Sequence, residues 1–402
     1  MKSLLLIAVF GMASALPSIN SRREGVPSFS LLEDRSEDGS PNLSVEFADG
    51  TTDTIILEKY YANEDDKVQE RMSGIEDCNY VGYLKNEKVC LAMTGCIGSD
   101  EYRDFTINSA HAGDFASFRW FANDTVRGIP SFLEREDGLK PMGIDPRELR
   151  KGYKTFEADG MNMTILGDDE LEQTEQLEKE FEIEEFCWGG WGWCPKMPAT
   201  MHMEYSAGYD DFFLQKTGSR QAAENLIKQA MTHVQPAYCV PSLGTKISMS
   251  RIGPIKHHAG YKWYANTITT MMKSMPLISR NIGNADTLVL FGAIFDYSNT
   301  LWNGLATVGS MCSIISGQKA SINMWDPNGA TGLAAVVRHE VGHNFGAKHD
   351  PASCSGDKPI MGGNSKMAWS TCSKTAIESH YANYRWRWCL PQNSYACQGM
   401  GK

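Results

Sequence analysis

The sequence predicts an α/β chain in which a mixed, mainly parallel sheet carries a histidine-bearing helix, preceded by a strand-rich N-terminal region. Three observations carry this expectation. Strand-like and helix-like stretches alternate from about residue 196 onward, the pattern of strands joined through helices. Three of the nine histidines fall within "RHEVGHNFGAKHD", residues 338–350, at a spacing that suits one helix and a turn. Residues 78–135 are rich in cysteine and aromatics, with strand-like composition.

From the N-terminus, "MKSLLLIAVFGMASALPS" holds a basic residue, Lys2, then a short apolar run from Leu4 to Phe10, then Ala13-Ser14-Ala15. That order is a secretory signal peptide over residues 1–15, and the expected location is extracellular. No later segment offers the roughly 20 uninterrupted apolar residues that a membrane span needs. Residues 16–195 are expected to be a pro-region. Within it, 20–75 reads as charged and loop-like, and 78–135 as a small strand-rich unit. Cys90 and Cys96, on either side of "LAMTG", are a candidate pair. "RELRK" at 147–151 contains an R-x-x-R cleavage pattern ending at Arg150, and 167–186 is an acidic linker.

The span 196–392 supplies the alternating elements. "MHMEYSAGYDDFF" has strand character. "SRQAAENLIKQAMTHVQPAY" has helical spacing at Ala223, Leu226, Ile227 and Ala230, with Pro236 as its stop. "TKISMSRIGPI" is a short strand and "YANTITTMMKSMPLI" a second helix. "ADTLVLFGAIF" is an apolar run of buried-strand length, and "SINMW" another strand. "TGLAAVVRHEVGHNFG" is a third helix, with Thr331 as N-cap. Residues 393–402 are a short tail.

Composition narrows the partners. With 49 acidic and 38 basic residues, the chain has a net charge of −11 and no basic stripe, which disfavours nucleic acid. Eleven cysteines suit an oxidising compartment, and the odd number leaves one thiol over or bridging two chains. Glycosylation sequons begin at Asn42, Asn123 and Asn162. A monomer is expected.

In "HEVGH", His339 and His343 are four residues apart, one above the other on a helical face. Their imidazoles can share one ion. Glu340, rotated roughly 100° around the axis, can reach a water beside that ion without ligating it. Gly346 allows the left-handed turn that brings His349 under the ion. Three neutral histidines leave a fourth zinc position open, the catalytic arrangement. A bare H-E-x-x-H arises by chance in roughly one chain in a hundred of this length, and the extended string is rarer by about three to four powers of ten.

The extended string H-E-x-x-H-x-x-G-x-x-H-D, residues 339–350, resembles the metzincin signature, and Asp350 after His349 resembles the adamalysin (reprolysin) branch, which includes the ADAM and ADAM-TS enzymes. "ATVGSMCS" is similar to that family's substrate-edge segment, "KPIMGG" to its Met-turn, and "WSTCSKTAIESHYANYRWRWCL" to its C-terminal helix. The resemblance implies a metzincin-type catalytic domain over 196–392, with a zinc-binding active-site helix. It implies a secreted metalloendopeptidase, made as a zymogen, that cuts protein or peptide substrates; toxin and matrix-degrading settings fit equally. A catalytically silent binding protein is the alternative.

On the same resemblance, Met361 is a sulfur platform under the zinc, with Met367 a rival, and Gly362 to Trp369 wall the primed-side pocket. The segment Leu305 to Ser310 pairs with an extended substrate. Cys312 pairs with Cys389, and Cys354 with Cys372. The family's pro-segment cysteine switch has its nearest counterpart in Cys194 of "WCPKMP", where the order of residues departs from the family string. Cys194 is therefore either a switch or half of a Cys187–Cys194 disulfide. Calcium is a second candidate ion, at Glu204 and an acid before the central strand; Asp286 is out of step with the family pattern. The other histidines lack ligand spacing.

Overall fold

The charged N-terminal stretch folds into strands, not loops. In the computed structural model, residues 26–61, 78–129, 154–165, 201–255, 285–292, 304–312, 319–354, 359–362, 368–381 and 389–390 are described, with short exceptions inside those spans. The first eight strands are β1 (Ser28–Arg35), β2 (Pro41–Glu46), β3 (Thr52–Lys59), β4 (Asn79–Leu84), β5 (Cys90–Thr94), β6 (Tyr102–Ile107), β7 (Ser117–Phe121) and β8 (Val126–Ile129). They form one antiparallel sheet in sequence order. Alternation explains it: Leu43, Val45, Phe47, Ile55 and Leu57 all enter one core with Phe105, Phe118 and Trp120. Two of the acids that suggested a loop are turn formers. Asp38 accepts from the Ser40 N–H and Asp49 from the Thr51 N–H, each at 2.9 Å.

Cys96 pairs with Cys78, not Cys90. Asn79 sits opposite Thr94 in the β4–β5 ladder, so residues 78 and 96 lie at the same end of that hairpin. Cys90 stands at the other end of β5, about 20 Å along the chain from Cys96 at strand rise, far beyond disulfide reach. Cys90 is a buried thiol, pushed up to about 12 by desolvation.

A hairpin, β9 (Lys154–Ala158) and β10 (Met161–Ile165), follows. The C-terminal unit then runs β11 (Met201–Tyr209), α1 (Asp211–Thr217), α2 (Arg220–Tyr238), β12 (Thr245–Pro254), β13 (Thr287–Gly292), β14 (Gly304–Ala306), β15 (Ala320–Met324), α3 (Ala330–Asn344), a 3-10 turn (Ile360–Gly362) and α4 (Thr371–Tyr381). Its sheet order is β12-β11-β13-β15-β14. All neighbours are parallel except β14, which runs antiparallel to β15 at the edge. This is the mixed, mainly parallel sheet that the alternation predicts. The helix expected at "YANTITTMMKSMPLI" lies outside the described residues, as do residues 1–25 and the 167–186 segment.

Two boundaries differ from expectation. α2 runs through Pro236 to Tyr238, and Cys239 N–H still donates to Gln235 O. Proline removes only its own N–H, so the last turn closes around it. The Gln235 side chain also ties this end down: its Nε2 donates to Thr245 O, and its Oε1 accepts from Ile247 N–H. α3 begins at Ala330 behind Gly329, which has φ +76°, with no side-chain cap, so Thr331 is inside the helix and not its N-cap.

The N-terminal sheet packs through β4, β5 and β6 on α2, and through β6 on α3. Tyr60 crosses into the C-terminal core and donates its hydroxyl to Ile247 O at 2.9 Å. From Ala230 to Tyr238, α2 is therefore buried on every side, enclosed between two sheets. Among the described residues, no helix is long and apolar enough to cross a membrane.

Candidate metal centre

α3 is buried along its whole length, and its apolar residues Leu333, Ala334, Val337 and Val341 fix it against the core. That fixes the direction of His339 and His343, which are 7 % and 8 % exposed. The helix ends at Asn344, and Gly346 takes φ +98°, with its N–H donating to His343 O at 2.8 Å. The reversal brings His349 back: its Nε2 lies 3.0 Å from His339 Nε2 and 3.3 Å from His343 Nε2. A Cβ on Gly346 would meet the His380 ring of α4 at 2.1 Å, so the ring itself fills the inside of the turn.

The donor set fits a zinc ion. Three nitrogens at zinc–nitrogen bond length on tetrahedral corners stand about 3.3 Å apart, close to the spacing found. The outer nitrogens are already spent: His339 Nδ1–H donates to Ile360 O at 2.9 Å, and His343 Nδ1–H to Ala347 O at 2.7 Å. In those tautomers both Nε2 atoms present lone pairs toward His349 Nε2, the arrangement in which three imidazoles can share one cation. Burial pulls His339 down to about 4 and His343 to about 3, so both are neutral at pH 7 and ready to ligate.

Glu340 faces the sheet edge. A Cβ on Gly304 of β14 would lie 2.4 Å from its Oε1, so glycine there leaves the carboxylate its space. Burial pushes Glu340 up to about 8, and a divalent ion on the imidazoles would draw it back down. Met361 is buried against α3: a Cβ on Gly342 would meet its Sδ at 2.9 Å and Trp369 at 2.8 Å. Asp350, beyond His349, accepts at Oδ1 from the Ser370 hydroxyl at 2.5 Å and the Ser373 hydroxyl at 2.9 Å. It thereby ties the histidine turn to the start of α4.

Asn344 knits the centre to the sheet, which sequence reading missed because the position is a wildcard in the motif. Its Nδ2 donates to Ser310 Oγ at 3.0 Å and Ala320 O at 3.1 Å, and its Oδ1 accepts from Thr287 Oγ1 at 3.0 Å. The segment after β14 is joined as well, through Gly309 N–H to His343 O and Met311 N–H to Asn344 O.

Cys312 and Cys389 form a disulfide, as do Cys354 and Cys372; Cys239 is also disulfide-bonded. Asp286, out of step by sequence, directly precedes β13, and its Oδ2 accepts from Glu204 N–H at 2.7 Å. Desolvation pushes it up to about 6. The nearby sulfurs of Cys312 and Cys389 are tied to each other and offer no thiolate to an ion. Of the other histidines, His202 contacts Ser248 Oγ, His233 is fully buried, and His380 packs on Gly309 and Gly346. Cys187, Cys194, Met367 and His111, His257 and His258 lie outside the described residues.

Comparison with known proteins agrees with this centre. The Reprolysin_5 profile, metallo-peptidase family M12, matches residues 200–388. The chain is 35 % identical over 86 residues to the mouse disintegrin and metalloproteinase domain-containing protein 19, and 43 % identical over 60 residues to its human counterpart. Those segments cover 21 % and 15 % of this chain, and only 8 % and 6 % of the relatives. A solved structure described as "Structure of a chaperone-substrate complex" aligns over 38 % of this chain and 25 % of its own, at 16 % identity and a TM-score of 0.30, too low to carry an argument. Over residues 200–388, just under half of the chain, the match to metallo-peptidase family M12, together with the two relatives, supports an adamalysin/reprolysin-type metalloprotease.

Proposed function

We propose that this chain is a secreted, zinc-dependent endopeptidase that hydrolyses peptide bonds of extracellular proteins and is made as a zymogen, with residues 16–195 as pro-region and 196–392 as catalytic domain. The convergence of three imidazoles beside Glu340, under an open sheet edge, carries the reading. His339, His343 and His349 would hold the ion. Zinc supplies Lewis-acid chemistry and makes water acidic enough to react near neutrality. Ile360 O and Ala347 O fix the tautomers of His339 and His343. Glu340 accepts a proton from the attacking water and delivers one to the leaving amine. β14, an edge strand among the described residues, offers its free side to an extended substrate, which adds as a further strand. Met361 and Trp369 support the centre against Gly342.

The test is turnover of a generic protein substrate. Glu340→Gln is expected to lower kcat by about 10²–10⁴ while zinc stays bound. A chelator is expected to abolish activity, and added zinc to restore it. Wild-type turnover in the Gln variant ends the mechanism, and zinc-loaded protein without any turnover supports a silent binding protein. Profiling cleavage on a peptide library then separates toxin from matrix-degrading settings.

A further inference from the structure

The contact between the N-terminal sheet and α2 has a histidine at its centre. His233 is fully buried. Its Nε2 lies 2.9 Å from Thr94 Oγ1 on β5, and its Nδ1 lies 2.9 Å from Thr106 Oγ1 on β6. A neutral imidazole offers one N–H and one lone pair, and threonine hydroxyls can match both. The ring thus bridges two strands of one unit from a helix of the other.

The charges that act on it are both cations. Arg338 of α3 donates to His233 O at 3.3 Å, and Arg119 approaches from β7. Arg119 is held by Asp104 of β6 at 2.7 and 2.8 Å, so that carboxylate is already engaged. Other titratable groups on the elements around α2 include Tyr80 and Tyr83 on β4, Cys90 on β5, and Lys246 and Arg251 on β12. Asp211 and Lys216 stand on α1, and His339, Glu340 and His343 further along α3. A proton on His233 would add a third cation to a dry contact whose Asp104 carboxylate is already held by Arg119.

We propose that the docking of the N-terminal sheet on α2 is an acid-sensitive latch: the sheet stays bound to the C-terminal unit near neutral pH, even after the connecting chain is cut, and is released when His233 takes up a proton.

The sign follows from linkage. Burial and the two arginines hold docked His233 down to about 3. Once undocked and wet, the ring returns toward its ordinary value of about 6.5. The undocked state therefore binds the extra proton. Docking is at full strength above pH ~6.5 and weakens about tenfold per unit below it, until the docked ring itself titrates.

The experiment uses the full chain with a specific protease site placed in the acidic 167–186 segment. After cutting, the association of the two pieces is followed by gel filtration and titration between pH 7.5 and 4.5. The pieces are expected to co-elute at pH 7.5. Their dissociation constant is expected to rise about tenfold at pH 5.5 and about a hundredfold at pH 4.5. His233→Gln, whose amide can donate to one threonine and accept from the other, is expected to stay docked with a flat profile. Separation at pH 7.5, a flat wild-type profile, or the same slope in the Gln variant overturns the latch. Release by chelator alone at pH 7.5 also overturns it, by assigning the acid effect to the metal centre. Should the Gln variant not fold, calorimetry in two buffers of different ionisation enthalpy reads proton uptake by the wild type. Uptake of about one proton at pH 5 is expected, and uptake near zero overturns the proposal.

Discussion

Gly346 turns the chain and also makes room for a ring. Its φ of +98° strains any other residue, and the His380 ring occupies the space a Cβ would take. Gly346→Ala is expected to cost about 1–2 kcal/mol in backbone strain alone, and to weaken zinc binding roughly 10–100-fold by displacing His349. Adding His380→Ala is expected to recover part of that loss; zinc titration of both variants checks it. The histidines also carry a pH signature. His339 and His343 are held down to about 4 and 3 by burial, against about 6.5 when unfolded. The unfolded chain therefore binds more protons, so metal-free protein is expected to lose stability as pH falls from about 6.5 toward 4, read by urea unfolding across that range. The spacing of the three histidines and the glycine turn were legible in sequence because helix pitch and backbone sterics alone dictate them. The placement of His380 was not, since no local rule links residues 346 and 380.

At the scale of elements, packing decides where local rules mislead. Pro236 reads as a helix stop, yet α2 continues because Gln235 secures its end to β12. Gln235→Ala leaves two buried backbone groups of β12 without partners and is expected to destabilise the fold by about 1–3 kcal/mol for each, measured by denaturant titration. Gly342 is a second such point, since Trp369 and Met361 lie against the face where its Cβ would stand. Gly342→Ala is expected to cost about 1–3 kcal/mol through overpacking, with lower activity as Met361 shifts. Strands β1 to β3 escaped sequence reading because charge was read as solvation. Asp38 and Asp49 mark turns, while the apolar residues between them alternate with period two.

Across the whole molecule, two sheets share one helix, and no sequence window spans that arrangement. Thr94, Thr106 and His233 come from distant segments and meet only after both units fold. The parallel sheet was legible because strand-like and helix-like stretches alternate along the chain; the docking of the first sheet against α2 was not. Covalent ties act at the same scale. Cys312–Cys389 closes a separation of 77 residues, and Cys354–Cys372 one of 18. Replacing the first pair by serines is expected to cost about 4–5 kcal/mol and the second about 3, compared by urea unfolding under non-reducing conditions.

Asn344 has a consequence for reading relatives of this chain. It is a silent letter in the motif, yet its amide joins β13, β15 and the segment that follows β14. A homologue that keeps all three imidazoles and the glutamate but replaces this asparagine with a hydrocarbon should load its ion normally and still be a poor catalyst. Counting bound zinc would classify such a protein as intact, and only a rate measurement would reveal the drifted groove.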